Sequence, residues 1–378
     1  MKSNENKVVR RGLRDVAAAE TRISHVDPPG KLYYSGYNIN ELSKHDVSYE
    51  ETVYLLWHDK FPNQKELDHL RKELISEMIL PKQVIKRLKG ISPEVHPMDV
   101  LRTTVSLLGE NDPDYGDNSE SANKRNAIRL VAKVPTIVTY HHRIRTKQNI
   151  VTPIEELSFA ENFLYMFLGR SLDEIERKTI DRYMMLLADH GLNASTFAAR
   201  VTASTQPDMY SAITSAIGTL KGPLHGGASE RVMRMLDQIN DEEEVEAYIQ
   251  GMLDDKKRIS GFGHRVYRKE DPRSKHLQKM SKKMCRYTNL EDLYKKSLRI
   301  EQTVQKKKGI FPNVDFYDAL VLKCLDIPIE YFTAFFASAR VSGWTAHVME
   351  QYKDKILIRP TSKYMGGYER KIIPIEKR

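Results

Sequence analysis

Apolar residues recur along most of the chain with the spacing of an amphipathic helix. Met209, Ala212, Ile213, Ala216, Ile217 and Leu220 fall at i, i+3, i+4, i+7, i+8 and i+11, one face of a helix that Gly222 and Pro223 end. Val232, Met235, Leu236 and Ile239 repeat the pattern, as do Val245, Tyr248, Ile249 and Met252. Leu67, Leu70 and Leu74 follow Asn63, an N-cap with Glu66 three residues on, the arrangement of a capping box. Only Lys31–Tyr37 and Ile356–Arg359 read as strand, and the polar stretch Glu110–Asn126 reads as a surface loop. The pattern predicts an all-α fold.

A chain of 378 residues is long enough for a large core, and for either two domains or a body with a smaller lobe. The breaks at Lys221-Gly222-Pro223 and Asp326–Pro328 bracket a segment rich in lysine and arginine. This predicts a small helical domain over 222–326, with 1–221 and 327–378 forming the large one. Apolar runs stay well short of the roughly 18–20 residues of a membrane span. The N-terminal stretch lacks the apolar stretch of a signal peptide, so the expected location is cytoplasmic, with no membrane partner. Two cysteines, Cys285 and Cys324, are too few for a disulfide framework or a zinc cluster and read as buried thiols, one bridge being the alternative. The net charge of +9 raises the question of nucleic acid, but the basic residues are interleaved with 51 acids and no finger or RNP-like motif accompanies them. A basic balance equally suits an enzyme acting on anions.

Three histidines stand in unusual local company. His225 lies in Gly222-Pro223-Leu224-His225-Gly226-Gly227, just before a predicted helix. Glycines let the backbone approach a ligand, and a helix N-terminus favours the neutral imidazole, which can donate a hydrogen bond to an oxygen becoming enolate-like. The alternative is a capping turn with an incidental histidine. His264 lies in Gly261-Phe262-Gly263-His264-Arg265, which is no dinucleotide fingerprint because no strand precedes it; a plain interhelical loop is the alternative. His190 in Asp189-His190-Gly191-Leu192-Asn193 reads equally as a core or capping residue. Asp315, among Phe311, Pro312, Val314 and Phe316, is a carboxyl whose apolar neighbours would raise its pKa toward that of a general base, or else a helix cap.

Arg340 sits among small and apolar residues in a helical stretch, where a guanidinium requires an anionic partner, most naturally a carboxylate gripped at two points. Arg273, after Asp271-Pro272, and Arg359, before Pro360, would by themselves pass as surface residues. The remaining histidines show no metal-like spacing, HExxH included, and no metal site is expected.

Taken in order, the blocks GLRDVAAAETRISHVD, KLYYSGYNINEL, HPMDVLRTTVSLLG, DHGLNASTFAARV, GPLHGGASERV, GFGHRVYRKEDPR, FPNVDFYDA and RVSGWTAHVMEQ resemble the citrate synthase family along nearly the whole chain. That order outweighs the structural alternatives for His190, His225, His264, Asp315, Arg273 and Arg359. The resemblance implies a large and a small helical domain with the site in the cleft between them, and a homodimer in which Arg359 reaches the partner's site. It implies condensation of acetyl-coenzyme A with oxaloacetate and water to citrate and coenzyme A, with acetyl-coenzyme A as substrate and no tightly bound cofactor. Asp315 would be the base, His225 would hold the enol oxygen, and His264 would polarise the oxaloacetate carbonyl. His190, Arg273, Arg340 and Arg359 would bind carboxylates.

For the phosphates and adenine of coenzyme A, the expected contacts are Lys256, Arg258, Ile259, Gly261 and Lys308, drawn from the basic runs Lys256-Lys257-Arg258 and Lys306–Lys308. No long extension precedes the first matching block, so a nucleotide-regulatory site built from one is not expected. The nearest rival is 2-methylcitrate synthase using propanoyl-coenzyme A, because one methylene supplies only about 1–3 kcal/mol of discrimination. A helical binding protein without catalysis is a remoter one.

Overall fold

The computed structural model describes residues 9–13 and 15–378. Residues 1–8, half of the stretch inspected for a signal peptide, and Arg14 in the first matching block lie outside the described residues. A three-stranded antiparallel meander opens the fold: β1 (Ser24–Asp27), β2 (Lys31–Tyr34) and β3 (Tyr37–Asn38), with Val26 opposite Leu32 and Tyr34 opposite Tyr37. Helices follow: α1 (Ile39–Lys44), α2 (Tyr49–His58), α3 (Gln64–Ser76), α4 (Lys82–Lys89), α5 (Pro97–Gly109), α6 (Glu120–Arg145), α7 (Phe159–Leu168) and α8 (Glu174–Leu187). After them come α9 (Ala194–Ala203), α10 (Met209–Leu220), α11 (Ala228–Leu236), α12 (Val245–Asp254), α13 (Pro272–Tyr287), α14 (Glu291–Lys308), α15 (Val314–Cys324) and α16 (Phe332–Asp354). No helix among the described residues is long and apolar enough to cross a membrane.

Local chemistry sets these boundaries. The helix predicted over Met209–Leu220 forms over that span and buries all six residues of its apolar face. Asn63 and Glu66 close a capping box on α3. Three expectations need correction. The extended stretch at Lys31–Tyr37 is broken by a turn at Ser35-Gly36, and the first strand of the meander, Ser24–Asp27, was not foreseen. Ile356–Arg359 is not a strand: Lys355 ends α16 in the left-handed region, and the chain beyond finds no strand to pair with. The segment Glu110–Asn126 is a loop only to Ser119, whose hydroxyl accepts from Ala122 N–H and starts α6.

The core is organised around α16, which is buried on every side from Phe332 to Val348 and packs against α6, α9, α10, α8 and α2. A helix wrapped all round has no polar face to reveal its period. The segment α11–α15 packs largely on itself, α13 and α11 against α15 and α12 against α14. Cys285 on α13 and Cys324 on α15 are free buried thiols with sulfurs 3.4 Å apart.

Candidate active site

The residues singled out in the sequence sit at helix beginnings. His190 lies in the α8–α9 turn, His225 three residues before α11, and His264 in the α12–α13 loop, while Arg273 and Asp315 occupy the first turns of α13 and α15. Arg340 rises from the middle of α16. Helix N-termini carry unpaired N–H groups and a positive end, so a site bounded by them favours anions.

Hydrogen bonds fix which nitrogen carries the proton in two of the three imidazoles. The N–H groups of Val266 and Tyr267 both donate to His264 Nδ1 at 3.0 Å, so the neutral ring holds its proton on Nε2. At His225 the relation is reversed. Ser195 N–H donates to Nε2 at 3.3 Å with Ser195 Oγ 2.9 Å away, leaving the proton on Nδ1. Ser195 Oγ is held in turn by Trp344 Nε1–H at 3.2 Å. His190 and His264 lie edge to face with ring centres 5.3 Å apart, and His190 Nε2 is 3.1 Å from the Tyr267 hydroxyl. Burial pushes His225 and His264 down to about 4, assisted at His225 by Arg340; Asp271 partly offsets the effect at His264, and Arg273 adds to it. Burial and then Arg273 hold His190 well below its ordinary value. All three rings are neutral at pH 7.

Two glycines shape the backbone around these residues. Gly261 has φ +80°, and a Cβ there would lie 2.7 Å from Val232 and 2.9 Å from Phe316, so only glycine fits. That close fit lets the His264 loop join the Asp315 loop through a short antiparallel bridge. Asn313 N–H donates to Gly261 O at 2.9 Å, and Gly263 N–H to Phe311 O at 3.0 Å. Gly343 lets α16 touch the α8–α9 turn, because a Cβ there would meet Ala188 O and Asp189 Oδ1 at 2.4 Å.

The two buried arginines are held differently. Arg273 Nε and Nη2 grip the Asp271 carboxylate at 3.1 and 2.7 Å. Burial opposes both charges, but their mutual attraction keeps Asp271 below its ordinary value and Arg273 above its own. Arg340 donates from Nε to Leu187 O at 2.7 Å and has no such carboxylate clamp; burial brings it down to about 10. Arg273 Nη1 and Arg340 Nη2 are buried without an acceptor. Each guanidinium therefore keeps a donor available to an anion.

Asp315 is half-buried, and only its backbone is tied down, with its N–H donating to Asn313 Oδ1 at 3.0 Å. Burial pushes its carboxyl up to about 6, with Arg273 pulling down and Asp271 pushing up. Arg340 also acts on Asp315, on His225 and on His190, so one electrostatic field joins groups far apart in sequence.

His190, His264 and Asp271 bring potential metal-ligand atoms within 4.8 Å of one another. Asp271 already accepts from three Arg273 donors, and His264 Nδ1 already accepts two N–H bonds, which leaves this cluster poorly suited to a cation.

The other expected residues are placed apart from these. Arg359 is exposed in the coil after α16. Lys256, Arg258 and Lys308 are exposed, and Ile259 and Gly261 are buried. A cavity of about 530 Å³ between α11 and α12 is lined instead by Arg231, Arg234, Lys257 and Ser260, among others. Sequence reasoning passed over Arg231 and Arg234. They follow His225 by six and nine residues on the next helix, which was the available signal. It also passed over Asp271, Tyr267 and Ser195, the residues that hold Arg273 and the histidines, although each lies within three residues of a residue that was singled out or inside a quoted block.

Known proteins resemble this chain along nearly its whole length. The family model for the citrate synthase C-terminal domain matches residues 12–361. Citrate synthase 2 of Bacillus subtilis is 47% identical over 369 residues, covering 97% of this chain and 99% of that protein. A citrate/2-methylcitrate synthase of the same organism is 40% identical over 357 residues, covering 94% and 96%. Among solved structures, citrate synthase of the archaeon Thermoplasma acidophilum, in ternary complex with carboxymethyl coenzyme A and oxaloacetate, superposes with a TM-score of 0.94 at 31% identity, covering 98% of this chain and all of that one. With histidines, aspartate and arginines gathered on a helical frame of this kind, and matches that run almost from end to end, the chain belongs to the citrate synthase family.

Proposed function

We propose that this enzyme condenses acetyl-coenzyme A with oxaloacetate and water to give citrate and coenzyme A. The observation that carries the reading is the grouping of two neutral, tautomer-fixed histidines and a raised aspartate in the field of two arginines that each keep a free donor. Oxaloacetate has two carboxylates, and Arg273 Nη1 and Arg340 Nη2 are the donors to meet them, with His190 beside them. His264 Nε2–H then faces the ketone oxygen. Asp315, ionised at pH 7, takes a methyl proton of the thioester while His225 Nδ1–H donates to the enolate oxygen. A thioester α-proton is only weakly acidic, so base and oxygen donor must act together. The enol carbon attacks the ketone carbon, the new alkoxide takes its proton from His264, and water then cleaves the citryl thioester. Side chains handle every proton, and no tightly bound cofactor enters the scheme.

The thioester's phosphates belong in the cavity lined by Arg231, Arg234 and Lys257, with the exposed Lys256, Arg258 and Lys308 as further contacts. The segment 222–326 acts as a small domain on the body formed by the rest of the chain. Oxaloacetate binds first, draws that domain in and completes the thioester pocket, which protects the thioester from water until the carbon–carbon bond exists. Gly222, Gly261 and Gly263 absorb the motion.

The functional unit is a homodimer, with Arg359 reaching the partner's site. The tail after α16 supports this, since Met365 and Ile372 are 82% and 89% exposed in the single chain, as a segment lying on another subunit would be.

Thiol release tests the reaction. Coenzyme A appears from acetyl-coenzyme A only when oxaloacetate is present, and citrate is the product; release independent of oxaloacetate refutes the scheme. The relative named for both citrate and 2-methylcitrate favours a second reading with propanoyl-coenzyme A, which the ratio of kcat/KM for the two thioesters decides.

A further inference from the structure

A second basic cavity lies away from the three histidines, where α13 runs beside α1 and α8. It has a volume of about 420 Å³. Lys44 of α1, Lys178 and Arg182 of α8, and Lys279 and Lys283 of α13 line it: five cations, with no carboxylate among the lining residues. On α13, His276, Lys279 and Lys283 fall at i, i+3 and i+7, and on α8 Lys178 and Arg182 fall at i and i+4, so two basic stripes face one crevice.

Some of this charge is answered outside the crevice. Arg182 pairs with Asp46, Lys178 with Glu174, and Lys44 with Glu41 at 3.9 Å. Lys279 and Lys283 have no carboxylate within 4.0 Å among the described residues. His276 adds no charge. Its Nδ1 is 2.9 Å from Ser43 Oγ and its Nε2 2.7 Å from Asn40 Oδ1, and burial, then Arg182 and Lys279, push it down to about 4. It serves as a strut joining α13 to α1. Like charges across a low-dielectric crevice repel, and a bound anion turns that repulsion into attraction.

We propose that this cavity is a binding site for an oligophosphate chain, which clamps α13 to α1 and α8. Four of the five cations are lysines, and the one arginine already bonds Ser43 and Asp46, so the cavity offers point charges rather than a free planar fork. Point charges suit the closely spaced charges of linked phosphates, and no free fork is left to grip a planar carboxylate at two points. The charged stretch from Lys279 to Lys283 runs about 6 Å at 1.5 Å per residue, long enough to meet neighbouring phosphates of one chain. Because α13 begins at Pro272-Arg273, the clamp holds the same helix that presents Arg273.

Calorimetric titration with inorganic tripolyphosphate tests this, with saturating coenzyme A present to occupy the thioester cavity. The expected result is one site per chain that survives coenzyme A, weakens steeply with salt, and loses at least ten-fold in affinity in the double variant K279Q/K283Q. That variant keeps the wild-type melting temperature and phosphate-free thiol-release rate. Citrate, which offers carboxylates instead and has its own place at the active site, displaces bound tripolyphosphate only at concentrations at least ten-fold higher than tripolyphosphate itself needs. A nucleoside triphosphate bound as tightly as tripolyphosphate identifies the phosphates alone as the ligand, and tighter binding adds a base to the recognised chemistry. Loss of all binding once coenzyme A is present, equal affinity in the double variant, or displacement of tripolyphosphate by citrate at equal concentration overturns the proposal.

Discussion

Asp189 and Asp315 border the same site, yet their surroundings make them opposites. Asp189 is fully buried where the α8–α9 turn meets α16, and three donors converge on its Oδ2: the Ser24 hydroxyl, His347 Nε2 at 3.2 Å and Gly191 N–H at 3.2 Å. Burial works against its charge, but His347, Arg340 and Ser24 outweigh it and hold the carboxyl below its ordinary value. Asp315 has no comparable donors, so burial prevails and raises it to about 6. A carboxylate whose charge is held by three donors on one oxygen is an anchor. One that is influenced mainly through space keeps its lone pairs for a proton.

The same contrast separates the arginines. Arg273 is gripped by Asp271, while Arg340 has a backbone carbonyl on Nε and the face of Phe336 at 4.8 Å. The better-compensated groups set the position of the site, and the less compensated ones are left to act on a ligand.

Exchanging the two roles should be impossible, and substitution shows how far apart they are. Asp315→Asn removes the base and leaves the fold, so turnover by thiol release falls about 10²–10⁴-fold while oxaloacetate binding, followed by calorimetry, stays near wild type. Loss of binding together with turnover would make Asp315 a structural residue. Asp189→Ala does the reverse. It leaves His347 and Ser24 without their acceptor and costs about 3–5 kcal/mol of stability, read as a fall in denaturation midpoint. An unchanged midpoint removes the anchor from the account. Arg359→Gln gives the smallest effect, a rise of about ten-fold in KM for oxaloacetate with the melting temperature unchanged, if a second chain completes the site. An unchanged KM shows that each chain binds its substrate alone.

Much of this was legible in the chain. The face of α10 and the capping box of α3 follow from local rules, because their causes lie within a few residues. His225, His264 and Asp315 stood out through glycine and proline neighbours, the marks of backbone shaped around a site. The partners that distinguish them did not. Ser24 reaches Asp189 across 165 residues and Trp344 reaches Ser195 across 149, and no periodicity encodes such meetings. The start of α6 was hidden because Ser119 caps it inside a polar run. Ile356–Arg359 misled because a short apolar run without a partner strand makes no sheet.

The contrast between the two aspartates is tested most directly by the pH dependence of kcat/KM for acetyl-coenzyme A. Asp315 is active when deprotonated, so the rate should be flat above pH 7, bend near pH 6 and fall about ten-fold per unit below it; His225 and His264, pushed to about 4, add no bend between pH 5 and 8. A rate that stays flat down to pH 5 would place Asp315 among ordinary, satisfied carboxylates and contradict the account.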